Sequence, residues 1–350
     1  TKQVPGRKTD VKDCQWIQQL HSYGLLNRCH VSTGLLKSLR TYQRLREDHI
    51  RSAAMHINHM QKALIHMNIR IKEVLSQLHG KSGMQMIEAI LSGERDKQKL
   101  LILCDIRVQK NKGDLILKAL EGHYTEEGLF MLKQAYEAYH FYQSQIKECD
   151  QRISELFKQV NGDQETTELQ GQKKRKAIRH NSPDITNLGG HMLKIFSGKD
   201  ATILPGITDY SWMQLLSEVG VDLSKWKTEK HFTSWLGLSP GQHNSGKMKR
   251  NKKKGRPKAG QIFRQLAQSL INSKKIALGA FGRRLRAKKG PSVAIKAVAR
   301  KLAAQYWRLM VKGIEYVEKG AEEYERQMKL SKIKAMNRLS KELNVEILQL

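Results

Sequence analysis

The chain has 350 residues and a formal net charge of +30, from 63 Lys and Arg against 33 Asp and Glu. That length accommodates two or three domains, and a charge this large favours a polyanionic partner, nucleic acid first and an anionic membrane surface second. No apolar run approaches the roughly 20 residues of a spanning helix and no signal-peptide pattern opens the chain, so no membrane association is expected and the location implied is cytoplasmic.

Only 6% of residues are aromatic and six are prolines. With abundant Leu, Ile, Ala, Lys and Gln, this predicts a mainly α protein. In chain order, a basic turn, Pro5-Gly6-Arg7-Lys8, precedes a helix from about Thr9 to Tyr23, capped by Thr9 or Asp10 and ended by Gly24. From Leu36 to Leu78 a seven-residue repeat places Leu36, Leu39, Gln43, Arg46, Ile50, Ala53, Ile57, Met60, Leu64, Met67, Ile71, Val74 and Leu78 on one seam. Only Gln43 and Arg46 are polar, so the repeat predicts a long coiled-coil helix that His79-Gly80 ends. Met55, Met60 and Met67 read as seam packing.

Further helical stretches follow from Met84 to Leu120, broken near Ser92-Gly93, and from Glu126 to Val160. Short connections make these antiparallel neighbours in a helical hairpin or small bundle. Residues 161–182, with the basic run Lys173–Lys176, read as a linker. Short helices around Leu204-Pro205-Gly206-Ile207, a Gly-, Asn- and Lys-rich loop over 241–260, and amphipathic helices over 261–281 and 291–313 complete the C-terminal part, before a charged helical tail from Glu315 to Leu350. The four cysteines, Cys14, Cys29, Cys104 and Cys149, form no C-x-x-C pair and fit the reduced thiols of an intracellular protein.

The most informative feature is an absence. No carboxylate side chain occurs in the 85 residues between Glu229 and Glu315. The same window holds Lys247, Lys249, Arg250, Lys252, Lys253, Lys254, Arg256, Lys258 and further cations through Arg308. Solvated faces mix both signs, so an anion is expected to lie here, and its binding should be steeply salt-dependent. Inside the window sits Gln242-His243-Asn244-Ser245-Gly246-Lys247. Ser245 either binds a phosphate, or acts as a nucleophile toward a DNA phosphorus, aided by Lys247, Lys249, Arg250 and His243. Leu204-Pro205-Gly206-Ile207 is either a plain Pro-Gly loop or the hairpin of a helix-hairpin-helix, with Gly206 admitting a phosphate to the backbone. Asp10 and Asp13 share one helix face; they are either surface carboxylates or Mg²⁺ ligands.

Together these motifs resemble bacterial insertion-sequence transposases of the DEDD type, the IS-one-ten family of bridge-RNA-guided recombinases. Gly6-Arg7-Lys8-Thr9-Asp10-Val11-Lys12-Asp13 is similar to the family's G-R-K-T-D-x-x-D motif, and Phe232-Thr233-Ser234-Trp235-Leu236-Gly237-Leu238-Ser239-Pro240 to F-x-S-W-L-G-L-x-P. Ser245-Gly246-Lys247 follows at the expected offset, and Leu204-Pro205-Gly206-Ile207 resembles I-P-G-I. Two positions depart: Lys247 stands where many members carry a second Gly, and Asn244 where many carry Ser.

The resemblance implies a domain order. Residues 1–30 would be the end of a RuvC-like (RNase H-like) α/β domain, N-terminally truncated, as the start at Thr1 also suggests. Residues 31–160 would form a coiled-coil helical domain, 161–182 a linker, 183–314 a transposase domain, and 315–350 the tail. It further implies that Asp10 and Asp13 are two of four Mg²⁺ ligands, the other Asp and a Glu lying upstream, and that Ser245 is the nucleophile. The partners implied are DNA, a structured guide RNA and a second or further copy of the chain through the coiled coil, as dimer or tetramer, in a nucleoid-associated setting. By itself the chain is expected to bind nucleic acid without recombining it. The alternatives are a non-catalytic DNA- or RNA-binding protein, or a metal-only RuvC-like nuclease in which Ser245 only binds phosphate.

Overall fold

The computed structural model describes residues 9–24, 34–161, 181–240, 257–273 and 276–315, the backbone of 244–245 and 248–249, and isolated residues between 326 and 342. The described part is mainly helical. Helix α1 (Asp10–Ser22) starts on Thr9, whose Oγ1 accepts from the Lys12 N–H at 3.4 Å; it buries none of its residues.

Helices α2 (Leu35–His66) and α7 (Glu126–Asn161) form a long antiparallel hairpin. Leu39 packs with Ile153 and Phe157 at one end, and Met60, Ala63 and Leu64 with Leu132 and Ala135 at the other. Every position of the heptad seam is buried or half-buried. As far as the end of α2 the seam therefore faces α7 of the same chain, and each fully buried apolar side chain there contributes about 1.5–3 kcal/mol. Met60 and Met67 are part of this packing, whereas Met55 is exposed.

The heptad pattern overruns the helix. Asn68 takes a left-handed conformation (φ 58°) after the cap residue Met67. The Asn68 N–H then donates to Ile65 O (2.9 Å) and the Ile69 N–H to Leu64 O (2.8 Å), the paired bonds that close a helix end. Ile69, Ile71, Leu75 and Leu78 stay buried after the turn because they enter a separate distal core. That core is built by α3 (Ile71–Val74), α4 (Lys81–Leu91), α5 (Lys97–Ile102) and α6 (Ile106–Ala119). Gly93 (φ 98°) breaks the stretch where the sequence predicts it; a second break at Leu103–Asp105 was not foreseen.

The larger core lies at the other end of the hairpin. It joins Leu39, Ile153 and Phe157 to α8 (Leu188–Ile195), α9 (Asp209–Val219), α10 (Glu229–Trp235), α11 (Lys258–Asn272), α12 (Ala277–Lys289) and α13 (Pro291–Lys312). Two further differences matter. The helix expected over 261–281 is divided at Ser273, and the Arg283–Lys289 cations, expected between helices, lie on α12. The linker from 162 to 180 lies outside the described residues; in the tail, the described residues are helical and carry an Arg338–Glu342 pair at 2.8 Å.

Candidate nucleic-acid interface

The basic loop leaves and returns at one rigid joint. Thr228 caps α10, and Phe232 anchors it among Trp226 (ring centroids 4.9 Å apart), Phe263 and Tyr306. The chain turns at Gly237 (φ 67°), whose carbonyl accepts from Arg264 Nη2 at 3.2 Å. Gly260 lies directly beneath Leu236 O: a Cβ there would stand 2.1 Å from it. α10 and α11 thus touch backbone to side-chain-free backbone, and the segment between them starts and ends on this contact.

Within the segment, β1 (Asn244–Ser245) pairs antiparallel with β2 (Met248–Lys249), in the register Asn244↔Lys249 and Ser245↔Met248. Ser245 is therefore the strand residue beside Gly246-Lys247, where the sequence had predicted irregular loop. For Ser245 and Lys249 only the backbone is described; His243, Gly246, Lys247, Arg250, Lys252, Lys253, Lys254 and Arg256 lie outside the described residues.

Lys258, the first residue of α11, is the cation of the loop region whose side chain is described. Its Nζ pairs with Glu47 Oε2 of α2 at 2.7 Å, and the pair is about three-quarters buried. Glu47 Oε1 also accepts from Gln43 (3.3 Å) and Gln214 (3.0 Å). Beside it, Arg46 is fully buried and donates to both carboxylate oxygens of Asp150 on α7 (2.6 and 3.3 Å), to the Tyr210 hydroxyl (3.1 Å) and to Asn181 O (3.2 Å). Burial, above all, pushes the Tyr210 hydroxyl pKa up, so it stays protonated. Glu218 of α9 takes a bidentate contact from Arg44 (2.8 Å each) and lies 3.8 Å from Arg40. Glu47–Lys258 and Arg44–Glu218 fasten the hairpin to the C-terminal core, while Arg46–Asp150 joins α2 to α7. Sequence reading missed them, although Gln43 and Arg46 were signalled as the two polar seam positions.

Gly206 sits in an exposed turn at φ 82°, between a 3-10 turn (Ala201–Ile203) and α9. A Cβ would come within 3.0 Å of Leu270 on α11. The turn is thus packed on the helix that follows the basic loop. The element before it is a single 3-10 turn, preceded by the eight-residue α8. Thr208 and Ser211 close a reciprocal cap at the start of α9.

Asp10 and Asp13 share the first turn of α1, Asp10 exposed and Asp13 half-buried. A hard divalent cation takes about six oxygen ligands, several of them water. Among the described residues no group of three or more His, Cys, Asp or Glu side chains is placed to hold a metal. These two carboxylates do not constitute a Mg²⁺ site by themselves.

The carboxylate that precedes the acid-free window is itself engaged. Glu229, the last carboxylate before it, receives two hydrogen bonds from Arg308, one of them at 2.7 Å. Those bonds hold the Glu229 carboxyl below its usual pKa range against the opposing effect of burial. Glu229 and Glu218, which border this core, are thus engaged in pairs with Arg308 and Arg44. Of the cysteines, Cys104 and Cys149 are buried free thiols, raised in pKa by burial, and Cys14 is exposed; Cys29 lies outside the described residues. Among the described residues no helix is long and apolar enough to cross a membrane.

No curated protein and no solved structure matches the chain. Residues 201–281, from the 3-10 turn before Gly206 to Phe281 on α12, match the model of the transposase IS116/IS110/IS902 family. This segment, which includes the basic loop and Ser245, is thus similar to the IS116/IS110/IS902 transposases, a likeness that supports a transposase or recombinase function with DNA as partner.

Proposed function

We propose that the chain is part of an insertion-sequence transposase that cuts and rejoins DNA through Ser245. The observation that carries this is the family match over 201–281, which spans Gly206 and, inside the carboxylate-free stretch, Ser245. In this reading the Ser245 hydroxyl oxygen forms a bond to a DNA phosphorus, the bond to the departing sugar oxygen breaks, and the serine proton passes to that oxygen or to a base such as His243. Lys247, Lys249 and Arg250 stabilise charge on the phosphoryl oxygens. Lys252, Lys253, Lys254 and Arg256 hold the backbone, and the Gly206 turn brings main-chain N–H groups to a phosphate without reading sequence.

The resemblance adds Mg²⁺ bound by Asp10 and Asp13 with two carboxylates of an upstream RuvC-like portion, a structured guide RNA that selects DNA, and a cytoplasmic, nucleoid-associated setting. It also adds assembly into a dimer or tetramer. Because α7 fills the heptad seam, a second copy would meet the outer faces of the hairpin, where Phe130 and Phe141 are exposed.

The test uses the protein joined to a RuvC-like portion, incubated with insertion-sequence end DNA, guide RNA and Mg²⁺. Mass spectrometry of the digested complex should find DNA attached to Ser245. Ser245→Ala should abolish the adduct and strand exchange while leaving DNA binding intact. Undiminished cleavage by that variant would reduce Ser245 to a phosphate ligand and sink the reading.

A further inference from the structure

A groove of about 290 Å³ opens at the distal end of the hairpin, where α2 stops and α3 begins. Leu64 and Ile69, both buried, form its apolar floor, and Ile65, 61% exposed, forms a wall. Gln61, Arg70, Lys72 and Glu73 bring polar and charged groups to the same groove. The reversal at Asn68 (φ 58°) is what gathers residues from both sides of the helix end. The backbone beneath is pinned: the Ile69 N–H donates to Leu64 O and the Arg70 N–H to Ala119 O at the end of α6, both at 2.8 Å. Asn68 Nδ2 also donates to Glu121 O at 3.3 Å.

Among the described residues, the side chains of Gln61, Arg70, Lys72 and Glu73 form no hydrogen bond or ion pair. An apolar surface rimmed by polar groups marks an interaction site. Its volume stands at the small end of ligand pockets, which run from about 300 to 1,000 Å³. That leaves room for one small unit of a ligand and not for a helix.

We propose that this groove receives one unpaired nucleotide of a nucleic-acid strand, its base against Leu64, Ile65 and Ile69 and its phosphate at Arg70 and Lys72. The inference rests on nucleic acid being the partner of this chain. A nucleotide combines the three chemistries that meet here. Its flat base face is apolar, and aliphatic as well as aromatic side chains can enclose an unstacked base. The Watson–Crick edge carries N–H donors for the Glu73 carboxylate and complements the Gln61 amide. The phosphate takes the two cations. An acidic peptide would gain nothing from Glu73, and a duplex keeps its base faces stacked inside, away from Ile65. Leu64 lies about 25 Å along α2 from Glu47, at about 1.5 Å per residue. The groove is therefore separate from the basic loop, and the two contributions to binding should add.

The experiment measures binding of the full chain to four labelled probes across a salt series. They are a short DNA strand, the same strand made abasic throughout, its duplex, and an RNA hairpin with an unpaired loop. The variants are I65Q, R70Q/K72Q and the loop variant K252Q/K253Q/K254Q. Ile65 is largely exposed, so I65Q should melt as wild type. I65Q should bind the unpaired probes about fivefold more weakly and the abasic strand and duplex as wild type. R70Q/K72Q should lower the log–log salt slope for the DNA strand by about 1.4. Photocrosslinking of a thiothymidine-substituted strand should label residues 63–70. A loss confined to the DNA strand or to the RNA loop supports the inference and names the source of the nucleotide. Wild-type affinity in both groove variants, with loss in the loop variant, would overturn it and leave the transposase reading standing. A wild-type chain that binds no nucleic acid would remove both. Equal weakening of the abasic strand by I65Q would refute a base contact. Altered self-association of I65Q with unchanged nucleic-acid binding would assign the groove to a second copy of the chain and refute the nucleotide.

Discussion

Glu47 and Lys258 are joined by a 2.7 Å ion pair although 211 positions separate them, and the pair ties the long hairpin to the first residue of α11. Lys258 is thereby partly neutralised before any ligand arrives. K258Q should leave the salt slope of DNA binding within about 0.3 of wild type, whereas K252Q/K253Q/K254Q should lower it by about two to three. A drop of about one for K258Q would show that Lys258 leaves Glu47 for a phosphate.

Arg46 and Asp150 are both buried, and removing one partner strands the other charge. D150A should destabilise the chain by about 3–5 kcal/mol in chemical denaturation. The double substitution R46M/D150L should cost clearly less than D150A alone, because both desolvated charges are gone. Equal losses would mean that the network's remaining bonds to Tyr210 and Asn181 carry the stability.

The Glu229–Arg308 pair makes stability fall in acid. The folded carboxyl is lowered below its usual value, so its contribution is complete above the unfolded pKa of about 4.5 and is lost as pH falls through the folded value. Thermal melts from about pH 6 to pH 3 should show this loss in wild type. R308L should cost about 1–2 kcal/mol near neutrality, given the partial exposure of the pair, and should flatten the acid limb.

Gly260 lies too close to Leu236 O for any side chain. G260A should force α11 away from α10 at a cost of about 1–3 kcal/mol. It should also weaken DNA binding more than its charge-neutral nature suggests, because both ends of the basic loop rest on that contact. A G260A protein that melts and binds as wild type would show that the joint yields freely.

The sequence was enough for the helical class, a helix start at Thr9 or Asp10, the break at Gly93 and the acid-free window, because each follows from local spacing, dihedral preference or side-chain charge. It also raised Ser245 to notice through its neighbours. Periodicity could mark the seam from Leu36 to Leu78 but not its partner. An apolar stripe packs equally well on a second copy or on a distant helix of the same chain, and α7 is what covers it. Nor could it end α2 at His66, since Ile71, Val74 and Leu78 keep the heptad while lining another core. Only tertiary structure decided that Arg46 meets Asp150, that Glu47 claims Lys258, and that the cations of 284–289 stand on a helix. Those outcomes depend on contacts between residues far apart in the chain, whose energies no local pattern encodes.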